Sequence, residues 1–426
     1  MILPERNQSL NIRKKLVEKL ELGITFLLFS YYLGINLPEP ITQAWALLSF
    51  LTVPLLIIAH WKRFIWVATR DIGLLVLIAT VPISFFWSNS PDSTLAYSRA
   101  FLFSTGFGIY LATRYTPKEQ MRLMVWLFGI FTCLNFIVPL ILPSYGINYS
   151  YLGGPAWQGI TRQKNELSGA MVMISTFFLT IGIYGSKSRW VALTGSAVAF
   201  IILIFSKGKG SLGIFVALLP LLPLYKILKQ EYRLRTVLSI CALIISGFLI
   251  ITTVFNLQFI VVDILNKDLG GNGRDQVWSY LIERGLQKPW LGYGYAGFWN
   301  TYAEGLAVWL KFPWIAGAGD GGGNAHSSYI EVFLHLGWLG LSLVVLSFFT
   351  FLIRVVFLQV LTKQVEYFWM FQFLLIMALN SFYESYGGFL AYRHWFWILY
   401  ISYAYSTAIE FNRTMTNSRK FSIINT

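Results

Sequence analysis

Apolar stretches, each close to the roughly 20 residues a helix needs to cross a bilayer, follow one another along most of this 426-residue chain. Backbone inside hydrocarbon has no water to bond to, so such a chain is restricted to a bundle of helices that satisfy their own hydrogen bonds. Candidate spans centre on 22–37, 41–59, 72–88, 96–113, 121–142, 167–184, 190–206, 211–226, 236–256, 327–353, 367–383 and 393–409. The expected fold is all-α, a polytopic membrane protein of about twelve transmembrane helices. The charged fraction agrees: it is 12%, where soluble domains carry about 25%.

Lys and Arg orient such a bundle, because cytoplasmic loops carry them in excess. With the N-terminus inside, every inward segment is basic: Lys62, Arg63 and Arg70; Arg114, Lys118 and Arg122; Lys187 and Arg189; Lys226, Lys229, Arg233 and Arg235; Arg354 and Lys363; and Arg413, Arg419 and Lys420. The outward loops 37–40 and 88–95 contain neither residue type. Both termini are therefore expected in the cytoplasm. The net charge of +14 is spread over these loops rather than gathered on one soluble face, which excludes a nucleic-acid partner. Arg13, Lys14, Lys15 and Lys19 precede the first span as in a signal peptide. No small-residue cleavage site follows, so an uncleaved first helix is expected. Cys133 and Cys241 lie inside apolar runs and read as small buried hydrophobes.

One segment breaks the pattern. Residues 257–325 are polar and rich in Gly and Trp, ending in Gly321-Gly322-Gly323-Asn324-Ala325-His326. The chain thus divides into a nine-helix N-terminal membrane part (1–256), an extracytoplasmic loop (257–325) and a three-helix C-terminal membrane part (326–426). Within the loop, Gly270-Gly271-Asn272-Gly273 reads as a turn, and Arg274 opens a helix through Leu286. Val277, Trp278, Leu281 and Ile282 share one face, as in a helix lying on the membrane interface. Pro289 stops it; Leu291 to Tyr295 reads as a loop and Phe298 to Leu310 as a second amphipathic stretch. The aromatics of the loop suit interfacial anchoring or a surface on which sugar rings stack.

Several cations oppose the topology. Arg284, Lys288 and Lys311 fit the tolerance of long loops for scattered charge. Arg162, Lys164, Lys207, Lys209, Arg274 and Arg393 read instead as a cationic mouth for a polyanionic lipid head such as a diphosphate. Of four histidines, His60, His335 and His394 suit structural roles. His326 differs, because it follows a glycine run and enters a helix from the outer side. A helix N-terminus favours an anion and disfavours imidazolium, so a neutral His326 there suits a general base. The acidic residues of the loop lack the spacing of a Ca²⁺ or Mg²⁺ site; Asp320, beside the glycines, is the one metal candidate. Neither glycine run has the context of a nucleotide-binding loop. No cofactor is expected, and the substrate must bring its own energy.

These elements together resemble one family. Gly273-Arg274-Asp275-Gln276-Val277-Trp278 with Lys288-Pro289-Trp290-Leu291-Gly292-Tyr293-Gly294 is similar to the GR…W…P-W-x-G-x-G pattern of the O-antigen ligases and exopolysaccharide polymerases. Asn324-Ala325-His326-Ser327-Ser328-Tyr329 with Leu336-Gly337-Trp338-Leu339-Gly340 resembles their H-[NS]-x-Y…G-x-x-G continuation. Trp157-Gln158-Gly159 with Gln163-Lys164-Asn165-Glu166-Leu167-Ser168-Gly169 resembles the K-N-x-L-[GS] segment of the polymerising branch. The resemblance covers roughly residues 150–345. It implies a GT-C-like scaffold in a bacterial inner membrane and metal-independent transfer of a glycan from undecaprenyl diphosphate to an acceptor glycan or lipid. A polysaccharide secretion machine is an implied neighbour. On this reading Arg274 and His326 are catalytic, and Arg274, Lys209, Arg162, Lys164 and Arg393 hold the diphosphate. Ser206-Lys207-Gly208-Lys209 stands where the family often has Ser-Arg; lysine keeps the charge but loses bidentate recognition. A transporter of an anion or lipid-linked glycan is the alternative, and a non-catalytic assembly subunit a third reading. Few ionisable residues in the spans (Arg99, Glu331, His335, Glu384) and no evident repeat between the halves argue against transport.

Overall fold

The computed structural model describes residues 3–149, 154–185, 188–228, 230, 274–301, 303–313, 323–385 and 387–424. The predicted span 236–256, the loop residues 257–273 and the segment 314–322 with Asp320 lie outside the described residues. Helices α1 (Leu3–Tyr32), α2 (Glu39–Ala59), α3 (Trp61–Ala68), α4 (Ile72–Ile83), α5 (Pro91–Arg114), α6 (Pro117–Ile141) and α7 (Pro143–Gly146) come first. A two-residue antiparallel pair, Ile147 with Trp157 and Asn148 with Ala156, separates them from α8 (Lys164–Tyr184), α9 (Arg189–Phe205), α10 (Lys209–Leu218) and α11 (Leu224–Leu228). The insert holds α12 (Arg274–Gly285) and α13 (Gly305–Lys311); then follow α14 (Ser328–Thr362), α15 (Val365–Tyr383) and α16 (Trp395–Ile424).

The chain is an all-α protein in which, among the described residues, six helices are long and apolar enough to cross a membrane. The count is seven if the pair Trp61–Ala68 and Ile72–Trp87, bent by 101°, is one span. The predicted intervals 96–113 and 393–409 are helical in α5 and α16 but are not among the six, and their position explains why. They pack along each other, with Ser104 to Thr113 and Trp395 to Ala408 buried throughout. A helix sheltered by its neighbours needs no apolar face toward lipid, and small or hydroxyl residues let it approach closely. A Cβ on Gly108 would lie 2.8 Å from the Ile398 carbonyl oxygen, and Trp397 Nε1 donates to Thr105 Oγ1 at 2.9 Å.

Loops predicted to share a face are bonded to one another. Glu21 accepts from Tyr110 OH at 2.8 Å and Arg114 Nε at 3.0 Å, with His60 Nε2 at 2.7 Å. Asp71 caps α4 by accepting from Leu74 N at 2.9 Å and pairs with Arg354 of α14. All of these sit at predicted inner ends. Among predicted outer segments, Asn36 N donates to Ile160 O at 2.8 Å, Trp87 Nε1 to Leu291 O at 2.8 Å and Asn89 N to Tyr293 O at 3.0 Å.

The predicted span 327–353 is displaced by a break. Gly337 has φ 62° and ψ −155°, so Ser328–Leu336 is a short segment and the long continuous helix runs from Trp338 to Thr362. The loop Pro289–Tyr293 satisfies the groups that the break frees. Trp338 N donates to Pro289 O at 2.7 Å, Leu339 N to Trp290 O at 3.1 Å, and Tyr293 N to Leu334 O at 2.8 Å. Cβ atoms on Gly337 or Gly292 would stand 2.4 Å and 2.6 Å from the opposing backbone, so both glycines are steric requirements of this docking.

The insert also has its own core. Val277, Leu281, Tyr293, Phe298, Trp299, Val308, Phe312, Ala325 and Leu334 pack together. The apolar face of α12, expected to lie on the membrane interface, closes this core instead: Val277 and Leu281 are buried and Ile282 is exposed. Helix α12 ends at Gly285, one residue before the predicted Leu286, and the second stretch is helical only over Gly305–Lys311. Burial pushes the Tyr293 hydroxyl up to about 12, where it stays a neutral donor to Arg284 O at 2.7 Å. Trp290 and Trp309 remain exposed.

Candidate functional site

Glu384 caps the C-terminal end of α15, and its carboxylate draws together segments that are far apart in sequence. Oε1 accepts from Asn165 Nδ2 at 3.1 Å and lies 3.6 Å from Arg274 Nη2. Oε2 lies 3.6 Å from His326 Nδ1. The amide comes from the first turn of α8, the guanidinium from the first residue of α12, and the imidazole from just before α14. Side-chain exposures of 24% for Arg274, 21% for His326 and 16% for Glu384 leave each accessible to a solute. The turn itself is locked in place: Ser328 Oγ donates to Glu384 O at 3.0 Å, and Ser327 N to Ser385 Oγ at 3.1 Å.

A second carboxylate, Glu331, fixes the residue that precedes His326. The φ of His326, 48°, is left-handed, a conformation that a non-glycine residue keeps only when its surroundings impose it. Glu331, buried one turn into α14, accepts from Ala325 N at 2.5 Å and from Trp299 Nε1 at 2.8 Å. Trp278 Nε1 donates to Ala325 O at 2.8 Å. The residue before the histidine is thus clamped at both its N–H and its carbonyl. Trp278 lies one turn beyond Arg274 on α12, so one short helix both contributes the arginine and fixes the histidine. Gly323 packs on Trp299, whose ring carbon would lie 2.5 Å from a Cβ there. His335 Nε2 stands 3.4 Å from Glu331 Oε2, and its ring meets Tyr295 at 5.0 Å.

Three further predicted cations gather near the N-terminal end of α8. Lys164 opens that helix, and exposed Arg162 precedes it, its backbone N–H donating to Glu166 Oε2 at 3.3 Å. Lys209 opens α10 and is exposed. Ser211 Oγ donates to Ser168 Oγ at 3.1 Å, and Ser168 Oγ to Asn165 O at 3.0 Å, so the two helix starts abut. Arg393 is directed elsewhere: its guanidinium lies 5.8 Å from the centre of the Phe50 ring on α2.

Chemically, a guanidinium, an imidazole and a carboxylate in one partly exposed group can bind a phosphoryl anion, move a proton and orient the imidazole. Among the described residues no group of three His, Cys, Asp or Glu is placed to hold a metal ion. Sequence reasoning found Arg274 and His326 but recognised Glu384 only as one of few ionisable groups in the spans. The available signal was a carboxylate closing an apolar helix beside Asn380, Ser381 and Ser385, a costly placement that marks function. No known family model matches this chain, and no curated protein does either.

Proposed function

We propose that the protein is a metal-independent glycosyltransferase that moves a glycan from undecaprenyl diphosphate to a sugar hydroxyl, as an exopolysaccharide polymerase or O-antigen ligase. The observation that carries this reading is the convergence of Asn165, Arg274 and His326 on Glu384. Each comes from a different one of the three segments that resemble the family. The reading also takes the bundle as twelve spans in a GT-C-like arrangement, with both termini cytoplasmic and the insert outside a bacterial inner membrane. Bonding of predicted outer loops to outer and inner to inner supports that topology.

In this scheme the diphosphate displaces Glu384 as the counter-ion of Arg274, with Lys164, Arg162 and Lys209 beside it. Nδ1–H of His326 faces Glu384, which leaves Nε2 to accept the proton of the acceptor hydroxyl. The hydroxyl oxygen attacks the anomeric carbon as the bond from that carbon to the diphosphate oxygen breaks. Arg274 stabilises the departing charge. Arg393, turned toward Phe50, has no part in it.

The test is reconstitution of the purified protein in lipid nanodiscs with an undecaprenyl-diphosphate oligosaccharide. Longer glycans and free lipid diphosphate, lost in His326→Ala and Arg274→Ala, are expected. Activity unaffected by both changes would remove the site assignment. Vesicle uptake of the donor without covalent product would favour transport.

A further inference from the structure

We propose that Arg393 and Arg99 form a binding site for the phosphate of an anionic membrane phospholipid, on the lipid-facing side of α2 and α5. The Arg393 guanidinium stands 5.8 Å from the centre of the Phe50 ring. Phe50 in turn packs edge-on against Phe103 of α5, with ring centres 4.5 Å apart. Arg99 is one turn from Phe103 on the same face of that helix, so the two cations flank one aromatic pair. Both arginines are exposed. The backbone holds Arg393 in this place: its φ of 55° is left-handed, and its neighbour Tyr392 packs on Tyr97 of α5 at 4.8 Å. On the other side of Arg393, His394 faces the groups around Glu384. Two consecutive residues thus serve different surroundings, and Arg393 is the one turned toward lipid.

The depth of the pair decides what it binds. Phe50 lies at the middle of α2 (Glu39–Ala59), and only 11% of the apolar window of that helix is buried by protein. A guanidinium beside hydrocarbon is costly unless it meets an anion or water. Among the described residues neither arginine takes part in an ion pair. At 1.5 Å per residue, Glu39 is about 16 Å along α2 from Phe50 and Asp92 about 10 Å along α5 from Arg99. Glu39 also has its own partner, accepting from Gln43 Nε2 at 2.9 Å. The Phe50 ring attracts the Arg393 cation but carries no charge to balance it. A lipid phosphate supplies that charge, and its oxygens fit the fork of a guanidinium. Long arginine stems rise toward head groups, while the acyl chains of the lipid lie along α2. A zwitterionic head brings a cation of its own to two guanidiniums, so an anionic head is favoured. Phospholipids bathe this face in large excess over any lipid-linked glycan, and occupancy follows concentration.

The experiment places the full chain in nanodiscs of phosphatidylcholine, with or without phosphatidylglycerol. Native mass spectrometry reads the lipid retained, and thermal unfolding reads stability. Wild type is expected to retain phosphatidylglycerol selectively and to unfold at a higher temperature when it is present. A hydrogen bond to a charged group is worth roughly tenfold or more in affinity. Arg393→Gln should therefore lower retention about tenfold, and adding Arg99→Gln should lower it further. The sign of the stability change separates a lipid site from an arginine that only packs on Phe50. In phosphatidylcholine alone, Arg393→Gln removes an uncompensated charge and should unfold no earlier than wild type; with phosphatidylglycerol it should unfold earlier. Equal retention by wild type and the double variant overturns the proposal, as does the same loss of stability in both lipids. Stabilisation by inorganic phosphate equal to that by the lipid overturns it too. Retention of undecaprenyl diphosphate at these arginines in preference to phosphatidylglycerol would return Arg393 to the donor site and likewise overturn it.

Discussion

Glu331 accepts the backbone N–H of Ala325 at 2.5 Å, and by that bond a residue within the first turn of α14 sets the position of the histidine that precedes the helix. The same carboxylate takes Trp299 Nε1 at 2.8 Å, so it ties the insert to the bundle at the point where chemistry is proposed. Glu331 is a positioning residue; Glu384 is the carboxylate that meets the imidazole.

Replacing Glu331 with Leu leaves two buried donors without an acceptor, at a cost of about 1–3 kcal/mol each. Glu331→Leu is expected to lower the unfolding temperature and to reduce turnover. Glu331→Gln keeps one acceptor oxygen and is expected to fall between Leu and wild type on both measures. Thermal unfolding and product formation, measured on the same preparations, check the order.

Trp278→Phe keeps an aromatic, though smaller, ring and removes the donor to Ala325 O. A single hydrogen bond of this kind contributes about 1 kcal/mol, so stability should fall little. Turnover should fall about tenfold, because placement errors near a reacting group cost far more than the bond itself. Trp290→Phe, at an exposed ring, is the comparison and should leave turnover near wild type. Steady-state rates on the two variants decide it.

Gly337→Ala places a Cβ at a φ of 62° and 2.4 Å from the backbone of Trp290. That backbone conformation, essentially confined to glycine, costs roughly 1–3 kcal/mol for an L-residue, and the clash adds to it. The docking of residues 289–293 on α14 should loosen. Limited proteolysis should then cut the insert between Gly285 and Gly305 at least several-fold faster than in wild type.

The topology makes its own prediction. With Cys133 and Cys241 replaced by Ala, a cysteine at Lys311 should react with a membrane-impermeant thiol reagent added to intact cells. One at Lys363 should react only after the membrane is opened. Equal labelling of both positions from outside would contradict the charge-based orientation.

Much of this site was legible in the sequence, for a physical reason. Arg274 and His326 sit beside glycines and break the charge or polarity pattern around them, so local rules single them out. Asn165 sat inside a recognisable segment, but nothing local told that its amide meets Glu384, 219 positions away. The glycines of the insert read as loop residues, whereas Gly292 and Gly337 are contact points between two motifs. The aromatics divided between anchoring and sugar stacking, yet Tyr293, Phe298, Trp299 and Phe312 fill a core of the insert's own. The two central helices α5 and α16 meet protein on every side over their buried stretches, so lipid does not dictate their composition.

The central claim is that His326 and Glu384 act as one unit, and a double-mutant cycle on glycan transfer tests it most directly. Turnover is measured for wild type, His326→Ala, Glu384→Gln and the double variant. Residues that act as a unit are strongly non-additive. Glu384→Gln is expected to lose about 10²-fold, within the range of a positioned acid–base group, and to cause no further loss once His326 is gone. Losses that multiply in the double variant, or full turnover in Glu384→Gln, would contradict it.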